Sequence, residues 1–301
     1  MVLVVLLSGR GDPKAPSPPE AAPTLAAPPA GTAEVRDGGP AVAAPDPAPE
    51  PAFALPPGLP WGARLLAQKP VRRFGLLVWS AAPDSARERL SLPVSTTAEQ
   101  AKEELAAAEV LIPGSDEVWC AGDRVSHEEL KLRLSVLAGV RRDDGHSMAP
   151  SLTPALLTVG AEVRWREVQW VMMACADPVV RMVRLHWAVT DRNGTEGCVP
   201  CFIPLTKGLR GAPSLVIELE RRSGETRTRV KLPGEDLGTD GESFALLADR
   251  VRGLLRGDPP PTVQINAWAW VPFAEVVRVV DMVRGAGGRE ILFTGAPPPP
   301  K

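Results

Sequence analysis

Cys198-Val199-Pro200-Cys201 is the one short motif in this 301-residue sequence whose residue types and spacing could carry covalent or redox chemistry. A dithiol of this spacing works when its first thiol stands at a helix N-terminus, where the dipole stabilises the thiolate. Here Phe202-Ile203-Pro204-Leu205 follows, a strand-like run with a second proline. A zinc site would need a second ligand pair at suitable spacing, and Cys120 and Cys175 are isolated in the sequence. Cys198 and Cys201 are therefore weak redox candidates, and a structural role is the expected one. The three histidines, His127, His146 and His186, sit beside a helix cap, in a polar loop and in a strand. No Ser or Cys nucleophile stands in a strand-to-helix elbow, and no carboxylate pair stands out. The expectation is a non-enzymatic protein without a cofactor or bound metal.

Tryptophans offer a second kind of chemistry, that of recognition. Trp268 and Trp270 alternate with Ala267 and Ala269 around an expected strand end, which would point both to one side. They are either packing between domains or a partner-binding patch. Asn193-Gly194-Thr195 fits a glycosylation sequon, but Asn-Gly is first a turn signal. Gly285-Ala286-Gly287-Gly288 ends a helix instead of opening one, so it presents the wrong dipole sign for phosphate.

The elements that must hold these residues start beyond a long Pro-rich stretch. Much of the chain's 34 prolines lies there, and residues 11–70 are rich in Pro and Ala with few aromatic or β-branched side chains. Such a stretch cannot offset its ordering entropy by burial. It reads as a disordered, PPII-like tether, with an upper reach on the order of 150 Å for roughly 50 residues. Met1–Leu7 is apolar but far short of the ~20 residues a membrane helix needs. Residues 1–10 are expected to be the remnant of a signal or membrane segment, with an incidental apolar start as the alternative. A net charge of −2, with both signs interspersed, excludes a non-specific nucleic-acid binder.

Beyond the tether the pattern predicts α+β structure. Arg73–Ser80 reads as a strand, and Ser95–Ala108 as a helix with Thr97 and Gln100 in capping-box positions. Asp116–Cys120 reads as a strand. Ser126 caps a helix over Glu128–Leu137, with Glu129 at N3. Leu156–Val159, then helix Trp165–Cys175, then strand Val183–Val189 complete a first unit, 71–192. The second unit, 197–296, repeats the order: strands Val199–Leu205, Leu215–Glu220 and Arg227–Leu232, helix Ser243–Leu255, strand Thr262–Asn266, helix Phe273–Arg284 and strand Glu290–Thr294. Val163-Arg164-Trp165-Arg166-Glu167-Val168 lies over Val271-Pro272-Phe273-Ala274-Glu275-Val276, keeping an apolar residue, an aromatic, a Glu and a Val in register. The expected fold is two tandem β–β–α–β–α–β domains.

Val263–Ile265, the helix Val271–Asp281 with its aromatic, its Val-Val pair and its Asp, then Gly285-Ala286-Gly287 and Ile291-Leu292-Phe293 together resemble the carboxy-terminal pattern of the ExbD/TolR family. Val163–Val189 resembles a more divergent copy. The resemblance covers most of 199–295, more weakly 73–190, and not the N-terminus. It implies a periplasmic module, tethered to the inner membrane, of a cell-envelope transport or integrity system driven by the proton gradient. The implied partners are an ExbB/TolQ-like multi-helix membrane protein and a TonB/TolA-like protein, with a homodimer and the cell wall as further possibilities and nucleic acid excluded. Trp268, Trp270, Phe273 and Asp281 are then the candidate partner-binding residues. The chain departs from the family at two points. No apolar segment with the family's proton-responsive Asp stands in this sequence, so no proton-coupling residue is carried over. Asn266 stands where the family strand usually carries an acid. The alternative expectation is a soluble or tethered scaffold that keeps the fold without motor coupling.

Overall fold

The computed structural model describes residues 2–3, 61, 70–79, 83–101, 106–139, 150–203, 215–239, 241–256, 262–288 and 290–294. The chain divides into two units, Met1–Gly9 with Ala54–Lys301, and Arg10–Phe53. The second unit, and with it nearly all of the expected tether, lies outside the described residues, as does the tail after 294. Trp61, assigned to the tether from sequence, is instead buried in the first unit, with the Arg133 guanidinium 5.2 Å from its ring centroid.

The architecture is mixed α+β, with five helices and two sheets among the described residues. In the first half, β4 (Ala107–Gly114), β5 (Glu117–Cys120), β6 (Asp123–Arg124), α2 (His127–Gly139), β7 (Ala155–Val159), α3 (Trp165–Ala176) and β8 (Arg184–Thr190) follow one another. In the second half, β10 (Leu215–Glu220), β11 (Arg229–Leu232), β12 (Glu235–Gly238), α4 (Gly241–Leu254), β13 (Val263–Ala267), α5 (Phe273–Gly285) and β14 (Ile291–Thr294) do the same. The strand orders also correspond. β6-β5-β4-β7-β8 in one sheet matches β12-β11-β10-β13-β14 in the other, with β4, β7 and β8 parallel as are β10, β13 and β14. Each half gains an outer antiparallel strand, β9 (Glu196–Phe202) on β8 and β1 (Val2–Leu3) on β14. Strand β9 thus belongs to the first sheet, whereas the sequence pattern had assigned Val199–Leu205 to the second unit. The two-residue register Val2↔Thr294 and Leu3↔Phe293 sets part of the apolar N-terminus against the second sheet.

The first half carries additions. A hairpin of β2 (Val71–Arg73) and β3 (Leu76–Trp79) replaces the single strand expected over Arg73–Ser80. Phe74 and Gly75 at φ 53° and 82° turn the chain, and a Cβ on Gly75 would come within 2.5 Å of Ala101 N, so only glycine fits. After α1 (Asp84–Glu88), none of the described residues of the expected Ser95–Ala108 helix is helical. Residues 93–99 instead pair with β8 and β9 on either side of a turn at Thr96–Thr97, Ser95 N donating to Thr190 O at 2.8 Å and Cys198 N to Glu99 O at 2.8 Å. Central strand β4 begins where that helix was to end.

Burial explains these elements better than propensity does. Helix α5 is valine-rich, and β-branched residues are indifferent helix formers. It forms because Phe273, Val276, Val277, Val280 and Val283 share one buried stripe. Strands β4, β7 and β8 are buried along nearly their whole length, so both faces of the first sheet are covered. On the face away from the helices, Phe74, Leu76, Val78, Ala107, Leu156, Ala188 and Cys198 form one apolar cluster. Strands β10 and β13 instead alternate buried with half-buried, leaving Val216, Glu218, Glu220, Gln264 and Asn266 on an open face.

Around a local two-fold axis the halves meet. Trp165 N donates to Val271 O at 2.7 Å and Phe273 N to Val163 O at 2.8 Å. Arg166 N donates to Ala269 O at 3.2 Å and Ala274 N to Ala161 O at 2.9 Å. Each bond has its mate at the repeat-equivalent position, with Arg164 facing Pro272 at the centre. Beneath them Trp165, Trp187, Phe273 and Phe293, all fully buried, form a four-ring core. Trp165 stacks on Phe273 at 6.3 Å and meets Trp187 edge-on at 6.0 Å, and Trp187 lies 5.5 Å from Phe293. Such pairs add to the area they bury.

Candidate functional site

Asp281, on α5, is 7% exposed and accepts hydrogen bonds from the 93–99 segment of the other half. Its Oδ1 receives Ser95 Oγ and Thr97 Oγ1, each at 2.7 Å. Its Oδ2 receives the Thr96 N–H at 2.6 Å and Thr96 Oγ1 at 3.3 Å. Further along the same segment, Glu99 lies 3.5 Å from Arg284. Ser95, Thr96 and Thr97, read from sequence as a helix start, are thus the donors for a buried carboxylate. Phe273 is sealed in the aromatic core. Of the four residues proposed for partner binding, these two are engaged inside the chain and present nothing to a partner.

The two tryptophans part company. β13 ends at Ala267 and the chain turns, Val271 N donating to Trp268 O at 3.1 Å, so the alternation expected of an extended strand is lost. Trp270 is half-buried, with the guanidiniums of Arg164 and Arg166 4.2 and 5.0 Å from its ring centroid. Trp268 is 40% exposed and lines a cleft of about 540 Å³ between the β10–β11 loop and the end of β13. The basic loop opposite Trp268, Arg221–Arg229, was not singled out from the sequence. Its signal was four arginines within nine residues around a Ser-Gly turn.

The acids at the start of α3 and α5 differ in their company. Glu167 is buried with Arg166 Nε 2.7 Å away, and Arg166 also reaches Asp116 at 3.2 Å. The equivalent Glu275 has Ala274 where Arg166 stands. Burial pushes the Glu275 carboxyl above its ordinary value, the Thr228 hydroxyl, Arg221 and Arg278 lower it, and Glu162 raises it further. Glu275 Oε2 and Thr228 Oγ1 are both buried without a well-formed hydrogen bond to a described residue. The Thr228 hydroxyl is near enough to act on the carboxyl electrostatically but is poorly aligned.

Cys198 and Cys201 lie on a regular strand, β9, in unbroken register with β8. Residues three apart on a strand point to opposite faces, so the two thiols are separated by the sheet itself. Cys198 Sγ is 3.6 Å from His186 Nδ1 within the apolar cluster face. Burial pushes the Cys201 thiol well above its ordinary value, with Arg284 pulling the other way. Burial also raises Cys120 and Cys175 to about 12. None has the exposed, electropositive setting of a reactive cysteine. His127 packs on Trp170, and desolvation lowers its pKa; His146 lies outside the described residues. Among the described residues no three His, Cys, Asp or Glu side chains converge as metal ligands would, and no helix is long and apolar enough to cross a membrane.

Fold and site together define a duplicated α+β chain with a closed first sheet and an open, polar second one. Comparison of the chain with protein-family models, with curated proteins and with solved structures finds no match.

Proposed function

We propose that the chain is a non-enzymatic binding module of a cell-envelope system powered by the proton gradient, built from two ExbD/TolR-like units joined in one polypeptide. The observation that carries this reading is the shared element order of the two halves, together with the reciprocal hydrogen bonds that join their helix starts. Each half runs β–β–β–α–β–α–β, one strand more before its first helix than the β–β–α–β–α–β unit that the resemblance implies. On this reading the chain stands on the periplasmic side, tethered to the inner membrane. Its partners are an ExbB/TolQ-like membrane protein and a TonB/TolA-like protein, which it meets through the open second half. Trp268 and the polar strand face around Glu218 and Asn266 are the accessible surface there.

A second reading is a soluble or tethered scaffold that keeps this fold without motor coupling. It is favoured by the internal engagement of Phe273 and Asp281, the two family-like helix residues that would otherwise be offered to a partner. Co-purification from membranes through a C-terminal tag separates the two. Recovery of a multi-helix inner-membrane protein in fixed ratio is the result expected for the envelope complex. Recovery of the chain alone from the soluble fraction would overturn that reading and leave the scaffold.

A further inference from the structure

The cleft beside Trp268 lies in the second half, and the equivalent position of the first half is built differently. Gly160 N donates to Ile112 O at 2.9 Å, and Trp268 N donates to Leu219 O at 2.8 Å, so the two residues hold the same backbone position. In the first half the strands beside that position are joined by a two-residue turn between Gly114 and Glu117. A Cβ on Gly160 would there approach Pro113 O at 3.1 Å and Val163 Cγ2 at 3.3 Å, so the Pro113 carbonyl and the Val163 side chain already crowd the position. In the second half the β10–β11 connection runs from Arg221 to Thr228, stands away from the sheet and opens about 540 Å³. The equivalent position then bears an indole, 40% exposed, directed into that space.

The cleft also lies where open sheets with parallel central strands bind ligands. β10 has the antiparallel β11 on one side and the parallel β13 on the other, and the crevice opens beyond the carboxyl ends of β10 and β13. Its lining includes Arg222, Arg227, Arg229 and Lys231 against Glu220 and Glu225. Lys231 is paired with Glu220 at 2.7 Å, and Arg229 with Asp236 at 3.2 Å. Glu225 is occupied by the Arg222 backbone N–H at 2.8 Å. The guanidiniums of Arg222 and Arg227 have no acid partner among the described residues. Two such forks beside an exposed indole face offer bidentate donors for an oxyanion and a platform for a flat ring. The volume falls within the range of small-molecule sites, about 300–1,000 Å³.

We propose that this cleft binds a small molecule that joins a planar ring to a phosphate, the chemistry of a nucleoside monophosphate, with the ring on Trp268 and the phosphate held by Arg222 and Arg227. The site is independent of the envelope reading, since it rests on the second half's own loop and indole.

The test is calorimetric titration of the full chain with AMP, adenosine, inorganic phosphate and a hexa-glutamate peptide. AMP is expected to bind at least about tenfold more tightly than adenosine or phosphate, because only it engages both features. The double substitution Arg222→Ala/Arg227→Ala and the single Trp268→Leu should each weaken AMP by about tenfold or more, while Arg192→Ala, on the exposed β8–β9 turn, leaves it unchanged. All these positions are surface side chains, and matching thermal transitions will show that the variants fold. Phosphate binding as tightly as AMP, or equal weakening by Arg192→Ala, would reduce the site to a diffuse basic patch and overturn the proposal. Binding of the acidic peptide without AMP would overturn it in favour of a protein-docking surface. No heat with AMP would overturn it outright.

Discussion

Replacing Asp281 by Ala should destabilise the fold by about 4 kcal/mol, whereas Asp281→Asn should cost only about 1–2 kcal/mol. The carboxylate receives three hydrogen bonds of 2.6–2.7 Å and a fourth at 3.3 Å, all from residues 95–97. Hydrogen bonds to a charged group are each worth about 1.5–3 kcal/mol net, so three short ones set an upper bound near 9 kcal/mol. Two effects pull the figure down. Ser95 Oγ and Thr97 Oγ1 lie 3.5 Å apart and can turn toward each other when the acceptor goes. The part-buried Thr96 N–H can recruit water in the space left by the side chain. Asparagine keeps an oxygen for the Thr96 N–H and turns a donor toward two hydroxyls that can accept, so only the charge assistance is lost. Guanidinium unfolding of the two variants measures the costs, and amide exchange locates them. Thr96 and Glu99 should lose protection in Asp281→Ala, while the β13 amides keep theirs. A cost below about 1 kcal/mol for alanine, or equal costs for alanine and asparagine, would refute the claim that this carboxylate anchors the segment.

Other consequences can be checked with the same protein. Cys198 and Cys201 should remain unlinked after treatment with oxidised glutathione, and non-reducing peptide mapping would reveal any bridge between them. All four cysteines should resist iodoacetamide at about pH 8 until denaturant is added, since burial raises three of the thiols far above that pH and Cys198 is equally enclosed. Trp165→Ala opens the aromatic core on the two-fold axis and should cost about 3–5 kcal/mol in denaturant unfolding. Glu275 has a folded pKa raised above its ordinary 4.5, so its contribution to stability is present below 4.5 and lost as pH rises through the raised value. Glu275→Gln has no such loss, and its urea midpoint should climb relative to the parent's between about pH 4 and pH 7; a constant difference would show that the carboxyl is not perturbed.

Helix α5 was legible because its valines recur on a single face, and α3 because Asp177-Pro178 stops a Trp-started helix at the right place. Ser126 caps α2 as its type suggested, its Oγ receiving the Glu129 N–H at 3.2 Å. Glu129 does not close the reciprocal box; its carboxylate pairs with Arg133. The stretch 95–108 was misread for a physical reason. Ser-Thr-Thr followed by Glu, Lys and Ala is a good local helix start, and nothing nearby competes for its donors. The competitor, Asp281, is far along the chain, and a buried carboxylate outbids local propensity for three donors at once. Strand β4 was hidden by its centrality: buried on both faces, it has no alternation to read. The aromatic core was visible only in part, since the sequence matches Trp165 with Phe273 but cannot say that the matched residues touch. The cleft was missed because loop length carries no periodic signal.

Duplication explains which equivalent positions agree and which diverge. Residues on a two-fold axis contact their own equivalents, so a change in one copy alters the environment of the other, and both are constrained together. That is the situation of Trp165 and Phe273, which stay large, flat and buried, and of the four backbone bonds around Arg164 and Pro272. Side chains that do not touch their own equivalents have different neighbours in the two halves. Arg166 corresponds to Ala274, which leaves Glu275 without the partner that Glu167 has, and Gly160 corresponds to Trp268. The differences between the halves are not random in place. The first half carries the β2–β3 hairpin, helix α1 and the Ser95–Thr97 segment, which cover its sheet and reach across to clamp α5 through Asp281. The second half has a longer β10–β11 loop, an exposed indole and a polar outer strand face. A half covered on both faces offers no sheet surface for recognition, and a half held in place by the other can keep an open one. If the proposed cleft binds its ligand, substitutions that impair binding and support should separate: Asp281→Ala lowering stability, Trp268→Leu lowering ligand affinity with stability intact.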